Sequence, residues 1–519
     1  MKKDKLNPVI ITIFFIITSI FLYGQSGNIL IDFSRESYIP YQMLDVSNRN
    51  NIFLIYGPFG YLINMLLYKI SLNINLLFIE ALLIAYAIAI IFYNVVKSFT
   101  IKPIALFTTL FFITVSIYSN SNFSFIIPYS YSTLWAIFGI YLLLFSFLYK
   151  KEKLKYIILG FIALNKLEFF IPCIIFTLIY DIYSKKFKIK NYFNTMVIIF
   201  IGYLIFAHYN LLLNIDILHK MMHTNSLKYL YKGMGTLFDI KYLYYNLINL
   251  IISLIISLVS YKIFNKNKAL SVLCIILLFI FINPQDIFQL GIFIAIVLTI
   301  LNKKIIKQKD IILFSFSIIL CSKALFATNL STYSNFGYCL VLFYIFRQLS
   351  LIINKKWLIY YFSIFMLTLS FLQIKSYILY QKFPLETKIG TIKLYKSDNE
   401  LIQKINNFIK NNVKYNENII VIPEGQIINL LNGKSWQFYN STFTPLDFET
   451  FGEKNLTNQL KKYKTDYIII YPRDTSDYGA KEICIYYGVD FCKYIKDNYK
   501  QVKEFGDIRK VLIYNINEK

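Results

Sequence analysis

Charged side chains are sparse in this sequence. Only 16% of its 519 residues are Asp, Glu, Lys or Arg, against 57% hydrophobic, and the mean hydropathy is +0.52. A water-soluble domain of that composition would have to bury nearly every side chain, so a chain that crosses a membrane several times is the default. Cysteine is scarce as well. Six residues are too few for a disulfide framework, and Cys173, Cys274, Cys321 and Cys339 lie in apolar stretches. Only Cys484 and Cys492 fall in a polar segment, where they can pair if that segment occupies an oxidising compartment. Negative charge is the scarcer sign, with 29 acidic against 54 basic residues. The net charge of +25 nevertheless does not point to nucleic acid. The lysines cluster between apolar runs, as in cytoplasmic loops beside anionic lipid. No small-residue cleavage site follows the opening "MKKDKLNPVIITIFFIITSIFLYG", so it reads as a retained signal anchor.

A bilayer core takes about 20 apolar residues per helix. Spans are expected near residues 8–24, 75–96, 103–119, 132–149, 155–183, 194–214, 244–264, 268–283, 287–301, 310–326, 335–353 and 357–376. The basic gaps, among them "KKEKLK" (150–155), "KKFKIK" (185–190) and "NKKIIKQK" (302–309), alternate as the positive-inside rule requires only if 155–183 crosses twice. Its midpoint, "LNKLEFFIP" (164–172), then forms a polar turn in a hairpin of short or broken helices. The expectation is a polytopic all-α membrane domain of about thirteen crossings over residues 1–376, with the N-terminus cytoplasmic. Its first outer loop covers 25–74. Residues 377–519 follow as a small extracytoplasmic α/β domain. "NIIVIP" (418–423), "DYIIIYP" (466–472) and "KVLIYNI" (510–516) are its strand-like runs, and 400–412 and 455–464 carry helical spacing. That domain has no Gly-rich phosphate loop, no His/Cys metal spacing and no nucleophile elbow.

An ionisable group near the bilayer core costs roughly 2.5–3.5 kcal/mol, so each one needs a reason. Asp32, Arg35 and Glu36 sit just past the first span, on the outer side. The two acids are four residues apart, so on a helix both carboxylates point the same way. Such a pair can divide the work of a base and an orienting or metal-holding group, and Arg35 can offer a phosphate a bidentate fork. Glu80, Lys166, Glu168, Asp286 and Lys323 fall on the same outer side. His219 and His223 share a helical face and have metal-ligand spacing, but a lone pair is a weak signal. Tyr38, Tyr56 and Trp135 near the outer surface are candidates for binding substrate, with an interfacial aromatic belt as the other reading of such residues.

With these residues in hand, the chain resembles the GT-C membrane glycosyltransferases. In particular it resembles the dolichyl-phosphate-mannose–protein mannosyltransferase family and its bacterial relatives that use polyprenyl-phosphate sugars. The likeness is carried by "DFSRESYIPYQML", "YGPFGYLINMLLYKI", "IPYSYSTLWAIFGIYLLL" and "LNKLEFFIP", and in the tail by "VIPEGQIINLLNG" and "DYIIIYPRDTSDYG". It implies a multi-pass protein of the cytoplasmic membrane that moves a sugar, with inversion, from a polyprenyl-phosphate donor. The acceptor would be a glycan, a lipid or a protein on the outer face. It further implies a first-loop acid, Asp32 or Glu36, as base, with Arg35, Lys166 and Lys323 as candidates for the donor phosphate. The adjacent acids of the better-known pattern are absent, since Phe33 follows Asp32. That leaves open both the choice of base and any divalent-metal cofactor. The alternatives are a transporter or flippase of lipid-linked glycans, which would carry polar groups along a central path and preferably a repeat, and a glycan polymerase, which would carry a large outer loop between late spans. No internal repeat is visible, and the large outer pieces lie at the start and the end.

Overall fold

The computed structural model describes residues 6–25, 27, 29–45, 52, 54, 56–118, 130–207, 219–220, 240–281, 291–322, 335–379, 382–438, 440–506 and 510–516. The chain is mostly helical. The helices before the first strand are α1 (Leu6–Leu22), α2 (Asp32–Gln42), α3 (Pro58–Ile70), α4 (Asn75–Lys97), α5 (Lys102–Tyr118), α6 (Tyr131–Leu148), α7 (Glu152–Ala163) and α8 (Leu167–Tyr183). They continue with α9 (Ile189–Ala207), α10 (Ile240–Phe264), α11 (Lys268–Phe281), α12 (Gly291–Leu301), α13 (Gln308–Cys321), α14 (Asn335–Leu349) and α15 (Lys355–Leu379).

Three helical stretches among the described residues are long and apolar enough to cross a membrane: Asn75–Lys97, Tyr131–Leu148 and Leu247–Phe264. This corrects the expectation of about thirteen crossings. Several apolar runs form helices below the ~18–20 residues that a perpendicular crossing takes, such as the 12 residues of α7 and the 17 of α8. Others extend into residues outside those described. The run 155–183 does divide in two, α7 and α8, around a turn at Leu164–Lys166.

The centre of the bundle is α4 and α6. Ala81, Ala85 and Ala89 recur every four residues on α4, a small-residue stripe that lets neighbouring helices approach closely. α6 packs in turn on α7, and α7 on α9, where Gly160 leaves room for Ile198: a Cβ there would lie 2.8 Å from that side chain. The outer helices turn apolar side chains to the surroundings. Ile13, Ile16 and Ile20 on α1, Ile171, Ile175 and Ile179 on α8, and Leu254, Ile255 and Leu258 on α10 are all about half exposed or more. The exposed set continues over α9 with Phe193, Met196 and Phe200, more apolar surface than water-facing helices normally present.

After α15 the composition changes and strands begin. β1 (Phe383–Thr387) and β2 (Gly390–Leu394) form a hairpin, followed by α16 (Lys396–Asn412), β3 (Ile419–Ile422), α17 (Ile427–Asn432), α18 (Pro445–Phe451) and α19 (Glu453–Tyr463). β4 (Tyr467–Ile470), α20 (Val489–Asn498), β5 (Lys500–Phe505) and β6 (Val511–Asn515) complete the chain. The four-stranded sheet has the order β3-β4-β6-β5, with β3 and β4 parallel and the other pairs antiparallel. Ile402, Ile405 and Ile409 make the buried stripe of α16, as their spacing requires. Cys484 and Cys492 are joined in a disulfide.

This α/β unit is seated on the first loop. Ser34, Tyr38 and Gln42 recur every four residues on one face of α2, and all three bond to the main chain of residues 427–436. Ile427 N–H donates to Ser34 Oγ (2.6 Å), Tyr38 Oη donates to the Lys434 carbonyl (2.9 Å), and Gln42 Nε2 donates to the Trp436 carbonyl (2.7 Å). Two main-chain bonds extend the seat: Lys393 N–H to the Gly24 carbonyl and Ile74 N–H to the Ile389 carbonyl, each 2.7 Å.

Candidate functional site

The opposite side of α2 carries the acids. Asp32 lies in the first turn of the helix, where a negative charge suits the helix dipole, and pairs with Arg35 one turn on. Tyr56 Oη donates to Asp32 Oδ1 at 2.8 Å. Tyr56 is held in place by its neighbour. Gly57 N–H bonds the Asn165 carbonyl at 3.0 Å, and a Cβ on Gly57 would lie 2.3 Å from the Leu164 carbonyl oxygen, so only glycine allows this approach. The contact ties the first loop to the α7–α8 turn and brings Lys166 over Tyr56, its Nζ 3.1 Å from the ring centroid. Lys166 also lies 3.7 Å from Glu168.

Glu36, one turn beyond Asp32, does something different. Its carboxylate accepts from Ser130 Oγ (2.8 Å), from Tyr131 N–H, and from Ser132 N–H (3.3 Å), while Ser130 Oγ accepts from Thr133 N–H. The first-turn donors of α6, which have no partner within their own helix, are thus satisfied by Glu36 and Ser130 together. Burial pushes the Glu36 carboxyl up to about 7; Lys166 opposes the shift, Asp32 adds to it, and Ser130 and Ser132 oppose it. Burial works against the charge on Arg35, but Asp32 together with Tyr56, Tyr478 and Tyr61 outweighs burial and holds the guanidinium firmly protonated. Burial and then Asp32 raise the Tyr56 phenol well above its ordinary value, so it remains a donor.

The α/β unit covers this cluster with the loops that follow β3 and β4. Those strands are parallel neighbours, so Glu424 and Arg473 come off the same edge of the sheet, and they form an ion pair. The Arg473 guanidinium lies 5.4 Å from the centre of the Tyr478 ring. Across the seam, Arg35 is within electrostatic reach of Tyr478 and Asp447.

No family model matches this chain, and no curated protein matches it in sequence.

The structure therefore brings together Asp32, Arg35, Glu36, Tyr56, Lys166 and Glu168 from the residues expected of a site. It places Tyr38 in the seam, fully buried, with its hydroxyl bonded to Lys434 rather than turned toward the acids. Glu80 lies within the bundle, where Trp135 Nε1 donates to it at 2.8 Å. Asp286 and Lys323 lie outside the described residues, as does His223; His219 is exposed. Among the described residues no group of three or more His, Cys, Asp or Glu is placed to hold a metal ion. Sequence reasoning missed Ser130, Glu424, Asp447, Arg473 and Tyr478. The signal available for two of them was a charged residue within three positions of the end of a strand-like run, in "IIVIPE" and "YIIIYPR".

Chemically, Asp32 and Glu36 are not equivalent. Glu36 is spent on a helix terminus. Asp32 is held by an ion pair with a guanidinium and by a phenol that orients it, and a lysine stands over the ring of that phenol. This is a carboxylate prepared to accept a proton next to a cation able to receive negative charge.

Proposed function

We propose that the protein is an integral membrane glycosyltransferase of the GT-C type. It moves a sugar from a polyprenyl-phosphate donor to a glycan, lipid or protein acceptor on the outer face of the cytoplasmic membrane. The observation that carries this reading is the Asp32–Arg35–Tyr56–Lys166 cluster, enclosed between the helical bundle and the α/β unit. Asp32 takes the proton of the acceptor hydroxyl as its oxygen bonds to the anomeric carbon. The bond from that carbon to the phosphate oxygen breaks with inversion, and polyprenyl phosphate leaves with the electron pair, its charge met by Lys166.

The membrane setting is supported by the apolar side chains exposed on α1, α8, α9 and α10, which suit lipid and not water. Sidedness is supported by two features at opposite ends of α6, about 27 Å apart at 1.5 Å per residue. Glu36 and the covering α/β unit stand at its N-terminus, and that unit carries the Cys484–Cys492 disulfide expected of an oxidising compartment. Lys150, Lys151 and the basic α8–α9 turn stand at the other end, as cytoplasmic loops would. The test is transfer by purified protein. Asp32→Asn is expected to bind the lipid-linked donor as wild type does and to form no product; product formed at the wild-type rate would sink the assignment.

A further inference from the structure

We propose that the α/β unit supplies the acceptor half of this site, with Arg473 and Tyr478 binding a hydroxyl-rich glycosyl group opposite Asp32. The inference rests on the transferase reading. In open α/β sheets, ligands bind beyond the carboxyl ends of parallel strands, and β3 and β4 are the parallel pair here. The residues following those ends are a buried acid, Glu424, and a partly exposed Arg473 paired with it. Glu424 is 2% exposed, and an acid so placed is tolerated because the arginine neutralises it. In return the pair fixes the plane of the guanidinium, which lies over the half-buried Tyr478 ring. The loop that carries both is braced from inside: Thr475 N–H bonds the Lys481 carbonyl at 2.9 Å, and Thr475 Oγ1 bonds the Ala480 carbonyl at 2.7 Å.

Placement completes the argument. Ile427 N–H is bonded to Ser34, and Gly425 lies against Leu30, so the β3 loop is anchored two residues from Asp32. The β4 loop stands beside it, with Tyr478 in reach of Arg35. Arg35 faces Asp32 and lies within reach of Asp447, and Arg473 faces Glu424, so each arginine of this seam already answers a carboxylate. Planar polar groups so paired, beside an aromatic ring, suit sugar hydroxyls and a ring face, and do not suit a second phosphate.

The experiment uses the full-length protein and its membranes. Donor is the polyprenyl-phosphate sugar extracted from cells, and acceptor is supplied as membranes from a strain lacking the protein, each titrated separately. Arg473→Ala and Tyr478→Ala should raise the acceptor half-saturation by about tenfold and leave that of the donor within about twofold. Arg473→Lys keeps a cation on Glu424 but loses the planar fork, so it should keep the wild-type melting temperature and still bind acceptor more weakly. Equal effects on donor and acceptor, or wild-type acceptor binding in all three variants, would overturn the inference while leaving the transferase reading intact. No transfer by wild type would overturn both.

Discussion

The carboxylate of Glu36 receives the hydroxyl of Ser130 at 2.8 Å, and with it the first N–H groups of the central helix α6. A site acid and a bundle helix are therefore joined in one contact. Removing the carboxylate leaves buried donors without acceptors, which costs about 1–3 kcal/mol for each group lost. Glu36→Ala is expected to lower the melting temperature of the detergent-solubilised protein well beyond any effect of Asp32→Asn. Asp32→Asn should leave melting near wild type and abolish transfer. Equal destabilisation by the two would mean that the acids share a structural role.

The pH dependence of stability follows from the same group. The folded-state pKa of Glu36, about 7, lies above the unfolded value, so the folded protein binds this proton more tightly. The contribution is complete below about pH 4.5, falls as pH rises, and is exhausted above about 7. At about 1.4 kcal/mol per pH unit, wild type should lose about 3 kcal/mol relative to Glu36→Gln across that window. Parallel melting curves for the two proteins from pH 4.5 to 7.5 would refute this.

The seat of the α/β unit on α2 is the next quantity to measure. Ser34, Tyr38 and Gln42 each contribute one hydrogen bond across the seam, worth about 1 kcal/mol apiece. Tyr38→Phe keeps the buried ring and loses only the bond to Lys434. Tyr38→Phe combined with Gln42→Ala should speed protease cleavage between Leu379 and Phe383 by about tenfold, from ~1–2 kcal/mol of lost seating. Transfer should fall with it, because α2 is then less firmly aimed. Unchanged cleavage would show that the main-chain bonds at Gly24 and Ile74 suffice.

Much of this arrangement was legible in the sequence, for identifiable reasons. β3, β4 and β6 fall inside the three strand-like runs, since each is a short run rich in β-branched and aromatic residues and bounded by turn residues. β5 was not legible: "KQVKEF" is polar and lies at the sheet edge, where no buried face imposes alternation. The spacing of Asp32 and Glu36 correctly placed both on one helix. It could not tell that one acid would meet Tyr56 and the other the start of α6, because those partners lie 24 and 94 residues away. Glu424 and Arg473 are 49 positions apart and meet only because β3 and β4 pair in parallel, a relation that no local pattern encodes.

Sidedness has a direct test. Tyr415 is 95% exposed on the α/β unit and Phe187 is about half exposed in the basic α8–α9 turn. In a Cys274→Ser background the remaining free cysteines, Cys173, Cys321 and Cys339, are buried, and Cys484 and Cys492 are bonded to each other. An impermeant maleimide should label Tyr415→Cys on intact cells and Phe187→Cys only after permeabilisation. The reverse pattern would invert the topology and remove the outer-face reading.

The end of the bundle at the C-terminus of α6 holds a second buried charge cluster, and it should behave unlike the first. Lys155 lies 3.2 Å from Asp181, and Asp181 also accepts from Tyr156 at 2.6 Å and Tyr192 at 3.0 Å, which ties α7, α8 and α9 together. Lys155 and Asp181 are almost completely inaccessible, and every partner named is satisfied within the protein. Lys155 also meets Glu152 at 2.6 Å, so removing Asp181 leaves the buried ammonium with one partly exposed partner and strips both phenols of their acceptor. That loss lies toward the lower end of the about 3–5 kcal/mol of a broken buried pair, whereas replacing both buried partners by apolar side chains is often neutral. Asp181→Leu alone should therefore depress the yield and melting temperature of folded protein, and adding Lys155→Met should restore most of both. Transfer per folded molecule should match wild type in the double variant, because this cluster stands at the opposite end of α6 from Asp32. A double variant that folds normally but transfers no sugar would show that this second cluster takes part in the reaction.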